Sequence, residues 1–246
     1  MEPKSQDDGM TKLENVPFSV LVKADQDLAD LRRHYASMSA RERRMAADWE
    51  YHSQMATELF NDTIAQAGQE GLGESSWPSG VVALAIDPLY APAILTVGSI
   101  EYQLGRVEEA MKLFMTLITL PKDEEDLTII IDKAGDFLIA QDNYENALAL
   151  YSAAEEVFPQ EAVYPIGSGY CLEKLGRYGE SVRKHRRADA LEPDNYEILN
   201  DLGYALLEAG EFDEAEEVFQ RSIALAPPGY EFPRNNLKLL KEKKKG

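Results

Sequence analysis

A motif of about 34 residues occurs four times in this chain, and it constrains the fold more than any other sequence feature. The stretch LGYALLEAGEFDEAEEVF (202–219) matches SGYCLEKLGRYGESVRKH (168–185), AGDFLIAQDNYENALALY (134–151) and VGSIEYQLGRVEEAMKLF (97–114). One glycine anchors each copy, and the spacings are 37, 34 and 34 residues between Gly98, Gly135, Gly169 and Gly203. Such periods are typical of stacked arrays in which each unit buries its apolar face on its neighbours.

Each copy has the pattern of two short antiparallel helices. In the last copy, apolar residues recur at helical spacing on both sides of GEFDE, which is typical of a turn. The anchor glycine and a small residue in the second helix leave room for the two helices to approach each other. An aromatic position, held by Phe114, Tyr151, His185 and Phe219, is expected to fill the space beside them. Proline follows the second helix because it cannot donate a backbone hydrogen bond, as at Pro159, Pro193 and Pro227.

The pattern resembles the tetratricopeptide repeat family. Leu-Gly, an aromatic, a turn glycine, Ala, a second aromatic, Ala and Pro are almost complete from Tyr196 to Gly229. The resemblance implies an all-α fold, a right-handed α-α superhelix, with repeats at 91–124, 128–161, 162–195 and 196–229. Some positions depart from the family pattern, namely the missing closing proline of the first repeat, Asp142 at the turn glycine of the second, and Pro165, Ser181 and His185 in the third.

The segments around the repeats predict a domain order. We expect a disordered N-terminus (1–16), an N-terminal helical segment with a degenerate repeat (17–86), the repeat domain (87–230), and a capping helix with a basic tail (231–246). The amphipathic N-terminal helices favour a cap on the solenoid, and a homodimer or partner contact is the alternative. The sequence leaves these alternatives open.

Charge narrows the classes of partner. The formal net charge is -19 and the sequence pI is about 4.6. Residues 87–230 carry 11 basic and 28 acidic side chains (11 − 28 = -17), whereas residues 231–246 carry 6 and 2 (6 − 2 = +4). Such an acidic body repels nucleic acid and anionic membranes, so we expect neither as a partner. A single cysteine, no long apolar run and no secretory signal pattern favour a cytoplasmic location.

The sequence offers no set of residues for catalysis. Its histidines, His34, His52 and His185, have no metal-ligand spacing with each other or with Cys171, and no phosphate-binding glycine loop is present. His185 is expected to be a packed imidazole and Cys171 a buried side chain. We therefore predict no catalytic residues, no metal and no cofactor. The enzyme alternative would need a site within residues 1–86, where Trp49, His52 and Glu58 are the candidates.

The family resemblance also implies a binding surface, because the first helix of each repeat lines a concave groove. Carried over position by position, the partner-binding candidates are Tyr102, Asp132, Asp136, Tyr170, Glu173, Asn200, Asp201, Tyr204 and Glu208. Family members that clamp acidic C-terminal tails use Lys, Arg and Asn, whereas the matching positions here hold Asp132, Asp136, Gly167, Glu197 and Asp201. This reversed charge predicts a basic and apolar protein segment as the partner.

Two further hypotheses concern the outer surface and the biological role. Arg183, Arg186 and Arg187 are expected on the convex side, solvated or paired with acids such as Glu180 and Asp189; a docking patch is the alternative. The favoured role is a non-enzymatic scaffold or adaptor. A dedicated chaperone resembling those of type III secretion translocators is the main competing role.

Overall fold

The computed structural model describes residue 84, residues 89–124 and residues 126–245. All regular structure in these residues is helical, which confirms the predicted all-α fold. The helices are α1 (Ala91–Gln103), α2 (Val107–Leu117), α3 (Leu127–Ala140), α4 (Tyr144–Val157), α5 (Val163–Lys174), α6 (Tyr178–Leu191), α7 (Tyr196–Ala209), α8 (Phe212–Leu225) and α9 (Phe232–Lys243). The chain divides into two compact units, residues 1–127 and 128–246. The predicted N-terminal segments 1–16 and 17–86 lie outside the described residues, apart from residue 84.

The described part of the first unit contains the first repeat, a hairpin of α1 and α2. A Cβ atom added at Gly98 would lie 2.5 Å from the Phe114 ring, so this ring packs directly against the α1 backbone. The chain leaves α1 through Gly105, whose φ of 79° is a left-handed conformation suited to glycine. At the same end of the hairpin, Arg106 forms a 3.1 Å ion pair with the buried carboxylate of Glu101.

The second unit contains three hairpins and one additional helix. The hairpins are α3–α4, α5–α6 and α7–α8, and each packs on the next through α4 against α5 and α6 against α7. The first helices of the hairpins also adjoin one another, since the Tyr164 hydroxyl of α5 lies 3.5 Å from the Thr128 carbonyl and α5 contacts α7. Helix α9 packs on α7 and α8 and closes the array.

Close approach of ring to backbone recurs in every repeat of the second unit. A Cβ added at Gly135 would lie 2.2 Å from the Tyr151 ring, at Gly169 2.5 Å from His185, and at Gly203 2.6 Å from Phe219. Real Cβ atoms do not approach other atoms this closely, so the predicted role of the anchor glycines is confirmed. The rings of Tyr151, His185 and Phe219 are all buried.

The departures from the repeat pattern fit the fold without breaking it. Asp142 adopts φ of 54° at the turn where the other repeats have glycine, and aspartate is one of the few residues that tolerates this conformation. Pro165 stands in the first turn of α5, where its missing N–H has no helical acceptor to lose. The closing prolines Pro159, Pro193 and Pro227 lie just beyond the ends of their helices.

The last repeat and α9 share one apolar core. Leu240 of α9 is fully buried against Leu206, Phe219 and their neighbours. The remaining members of this core come from α6, α7 and α8: Val182, Leu199, Leu202, Ala205, Leu207, Ala215 and Val218. None of the helices in the described part of the chain is long and apolar enough to cross a bilayer.

Candidate protein-binding groove

The predicted groove residues of the second unit lie on α3, α5 and α7, whose shared face we call the inner-helix face. Asp136 and Tyr170 are exposed on it, whereas Asn200 is buried. The others are partly exposed: Asp132, Glu173, Asp201, Tyr204 and Glu208. Tyr102, the candidate of the first repeat, is partly exposed on α1 in the first unit. The second unit therefore offers a face with carboxylates and tyrosines from three successive repeats.

In the second repeat, a tyrosine of the outer helix lies within hydrogen-bond distance of two carboxylates of the inner helix. The Tyr151 hydroxyl reaches past Gly135 and lies 3.0 Å from Asp132 Oδ1 and 3.3 Å from Asp136 Oδ1. Burial, followed by the charges of these aspartates, raises the pKa of Tyr151, so the phenol stays protonated and donates. Burial, followed by the charge of Asp136, also raises the pKa of Asp132. The hydroxyl thus lies within hydrogen-bond distance of two carboxylates a helical turn apart and of the Asp132 carbonyl, and its single proton is donated to one of these oxygens at a time.

In the third repeat, two departures from the family pattern converge on one carboxylate oxygen. The His185 Nε2 lies 3.0 Å from Glu173 Oε1, and the Ser181 hydroxyl donates to the same oxygen over 3.2 Å. His185 is 1% exposed, which confirms a packed imidazole, and its Nδ1 has no hydrogen-bond partner among the described residues. Both partners bond Oε1, and the Glu173 side chain as a whole is 12% exposed. The sequence suggested packing at these positions and missed this contact.

Asp201 of α7 adjoins the Glu173–His185 pair. Burial raises the pKa of its carboxyl to about 6; His185 opposes the rise, while the charge of Glu173 adds to it. The Asn200 side chain donates to Asp201 Oδ1 over 3.2 Å. Carboxylates of the third and fourth repeats therefore lie within electrostatic reach of one another, and Asp201 carries its charge in a partly desolvated position.

Helix α9 engages the predicted groove residues of the fourth repeat. Lys243 forms a 2.7 Å ion pair with Glu208, and the Asn236 side chain donates to Asn200 Oδ1 over 3.0 Å. These two candidates contact the capping helix, and Asp201 and Tyr204 remain partly exposed beside it. The net positive charge of residues 231–246 was the available sequence signal for such a contact.

Three further observations concern the reactivity of the Cys171 thiol, the surroundings of the Tyr170 ring and metal binding. Cys171 is buried, and burial followed by the charge of Asp136 raises the pKa of its thiol to about 12, so its reactive thiolate is suppressed. Tyr170 is 39% exposed, and Lys174 Nζ lies 5.0 Å from its ring centroid, within cation–π range. Within the ranges that the structure describes, no three His, Cys, Asp or Glu side chains gather into a set that could hold a metal ion.

The three arginines proposed as a convex patch lie on α6 and bond neighbouring groups. Arg183 Nη2 lies 3.7 Å from Glu180, Arg186 Nη2 lies 2.8 Å from Glu214, and Arg187 donates to the Pro159 carbonyl over 2.6 Å. Asp189, the other predicted acid, instead has a buried Oδ1 without a partner in the described residues. Arg186 and Arg187 thus connect the third repeat to its neighbours on both sides.

Comparison with known families agrees with this geometry. Tetratricopeptide repeat models match residues 172–229 and residues 91–124. The chain therefore contains tetratricopeptide repeats. A search among curated protein sequences gave no significant match.

Solved tetratricopeptide repeat structures show the same fold. A structure of MamA has a TM-score of 0.51 at 14% identity, covering 71% of this chain and 91% of its own. The structure of YrrB, described as a TPR protein with an unusual peptide-binding site, has a TM-score of 0.51 at 18% identity, covering 74% of this chain and 92% of its own. At this identity, the likeness concerns the fold alone.

Proposed function

We propose that this protein is a non-enzymatic scaffold that binds a basic and apolar protein segment on its inner-helix face and thereby assembles a complex. The main observation behind the proposal is that side chains of the outer helices lie within hydrogen-bond distance of carboxylates on the inner helices. The Tyr151 hydroxyl lies within hydrogen-bond distance of Asp132 and Asp136 and donates to one of them at a time, and His185 Nε2 bonds Glu173. Side chains of the outer helices are thus devoted to positioning negative charge on the inner ones.

Pre-positioned carboxylates favour recognition of Lys and Arg for two physical reasons. A carboxylate that is already held by a neighbour loses less conformational freedom on binding, so more of the contact energy appears as affinity. The excess of acids in residues 87–230 also attracts cationic segments over a distance and raises the association rate. Tyr170 and Tyr204 add apolar area for the neighbouring side chains of the partner.

The fold relatives supply limited support. YrrB, which resembles the chain over 74% of its length, is described as having a peptide-binding site. A peptide-binding role on the same fold is therefore reasonable for this chain, and its specificity would follow from its own carboxylates. We place the protein in the cytoplasm as part of the proposal. The residues of the enzyme alternative, Trp49, His52 and Glu58, lie outside the described residues, as do the N-terminal helices proposed for homodimerisation.

The proposal can be tested without knowing the natural partner. A phage-displayed library of random dodecapeptides would be selected on the purified protein and on the double variant Asp132→Lys/Asp136→Lys. We expect the wild type to enrich peptides that combine Arg or Lys with apolar residues, and the variant to lose that enrichment because the charge of the face is reversed.

A matched control separates local from global charge. Glu156 of α4 and Glu217 of α8 are exposed on outer helices, so Glu156→Lys/Glu217→Lys makes the same change in net charge away from the inner-helix face. This control should select the same peptides as the wild type. Selection of acidic peptides by the wild type, or equal losses in the two variants, would contradict the proposal.

A further inference from the structure

Three aromatic rings contact one another at the corner where α7 and α9 begin. Tyr196 is the first residue of α7, Tyr230 precedes α9, and Phe232 is its first residue. The Tyr196 and Tyr230 ring centroids are 4.8 Å apart in an edge-to-face arrangement, and those of Tyr230 and Phe232 are 5.3 Å apart. Phe232 is 64% exposed, more than any other large apolar side chain in the described residues. We call these three rings the aromatic corner.

Two carboxylates of α7 lie in the turns that begin at the aromatic corner: Glu197 directly follows Tyr196 and is exposed, and Asp201 is about one turn further along the helix. Partial burial raises the pKa of Tyr230 to about 12, with further contributions from the charges of Asp201 and Glu197. The Tyr230 hydroxyl therefore lies in the field of both carboxylates. Asp201 belongs to the inner-helix face, and Glu197 lies about one turn before it on the same helix.

Basic side chains of α9 are paired with acids, and the Arg234 guanidinium also donates to the Tyr230 carbonyl over 3.5 Å. Lys243 and Lys244 bond Glu208, Asp213 and Glu216 toward the other end of the helix. Arg234, the cation nearest to the corner in sequence, bonds Glu231 over 3.2 Å. An exposed ring beside carboxylates is suited to a group that is flat, apolar on its faces and positively charged at its edge.

The guanidinium group of arginine has this chemistry. It stacks on aromatic faces and directs its N–H groups to carboxylates in the same plane, whereas the ammonium of lysine is a strongly hydrated point charge. Exposed large apolar groups are often contact sites for partners. Resting on the proposed function, we propose that the aromatic corner is the arginine-anchoring end of the groove, where a partner arginine stacks on Phe232 and Tyr230 and pairs with Glu197 and Asp201.

The test uses a fragment as probe, so it does not depend on finding a partner peptide. Protein labelled with 4-fluorophenylalanine at its eight phenylalanines would be titrated with N-acetyl-argininamide and followed by fluorine NMR. The Phe232 resonance is identified by its loss in Phe232→Leu. We expect this resonance to shift on titration, and N-acetyl-lysinamide to bind about threefold to tenfold more weakly.

Variants distinguish this inference from the proposed function. Glu197→Gln should weaken the arginine fragment and leave the Phe232 environment otherwise intact, whereas Asp132→Lys/Asp136→Lys should leave fragment binding unchanged. The phage selection tests the groove separately. A Phe232 resonance that ignores the arginine fragment, or responds equally to the lysine and arginine fragments, would overturn the arginine anchor even if the groove selects basic peptides.

Discussion

The third and fourth repeats share the same glycine–ring packing and differ in the residue that lies beside the ring. In both, a glycine of the first helix lets a ring of the second helix touch the backbone, His185 under Gly169 and Phe219 under Gly203. One turn after the glycine the third repeat has Glu173, which His185 bonds, and the fourth has Leu207, which is buried. The same packing position therefore serves the core in the fourth repeat and the proposed binding face in the third.

The two repeats differ in the polarity of the packed ring. The glycine, the small residue and the ring set the distance between helices, so they are constrained in size but not in polarity. Where the ring carries a polar atom, that atom reaches a side chain of the inner helix. Tyr151 does so in the second repeat, and Ser181 adds a second donor in the third. Departures from the family pattern are therefore the places to look for specificity.

The largest expected effect comes from exchanging the two rings. Phe219→His would place an imidazole beside Leu207 with no carboxylate to bond, and we expect it to lower the free energy of unfolding by about 3 kcal/mol. His185→Phe, the reverse exchange, should change it by less than about 1 kcal/mol, because the aromatic ring fits and Glu173 is partly solvated. Urea unfolding of both variants measures the difference, and equal losses would show that the positions are not distinguished by polarity.

A second prediction concerns the glycine beside each ring. Gly203→Ala should cost about 1–3 kcal/mol, because its Cβ would lie 2.6 Å from Phe219 and must displace the ring. Gly179, which has open space where a Cβ would lie, is the control, and Gly179→Ala should be neutral or stabilising. Thermal unfolding separates the two, and similar melting temperatures would contradict the packing role.

The partly buried carboxylate of Asp201 predicts a pH-dependent effect on stability. The pKa of Asp201 is about 6 in the folded protein and 3.8 as a free group, so the folded state binds the extra proton between these values. This group therefore lowers stability as pH rises from about 4 to 6. Asp201→Asn should raise the free energy of unfolding by about 1–2 kcal/mol at about pH 7.5, discounted for partial solvation. The gain should vanish near pH 4; a gain that is independent of pH would contradict this assignment.

The smallest expected effect lies on the outer helices. Arg186 is half-exposed and pairs with Glu214 across the third and fourth repeats. Arg186→Ala should cost about 0.2–1 kcal/mol, less at high salt, because exposed ion pairs are screened. A double-mutant cycle with Glu214→Ala measures the coupling. Coupling well above this range would contradict the description of this pair as an exposed, screened contact.

The repeat pattern was sufficient to predict the hairpins, the glycine contacts and the turn at Asp142. These depend on local spacing and on volume, which a sequence shows directly. It was not sufficient for the bonds to Glu173, because the atoms that a buried polar group meets depend on rotamers and on residues about a dozen positions away. His185 and Ser181 were therefore assigned to packing alone.

The repeat pattern also could not predict the contacts of α9. Tyr230 and Phe232 lie after the last repeat, so no repeat position relates them to Tyr196. The ion pair of Lys243 with Glu208 joins residues on separate helices, and the basic composition of residues 231–246 indicated only that such pairs were available. The family resemblance predicted which residues form the candidate face. The hydrogen bonds and ion pairs that these residues make are seen only in the structure.

In the proposed function, His185 holds the Glu173 carboxylate in place to bind a basic segment. The most direct test is a double-mutant cycle in affinity, measured by calorimetry with the most enriched dodecapeptide from the phage selection. We predict that His185→Phe weakens binding by about threefold to tenfold when Glu173 is present and has no effect in the Glu173→Gln background. An equal effect of His185→Phe in both backgrounds, or no loss of affinity in Glu173→Gln, would contradict the account.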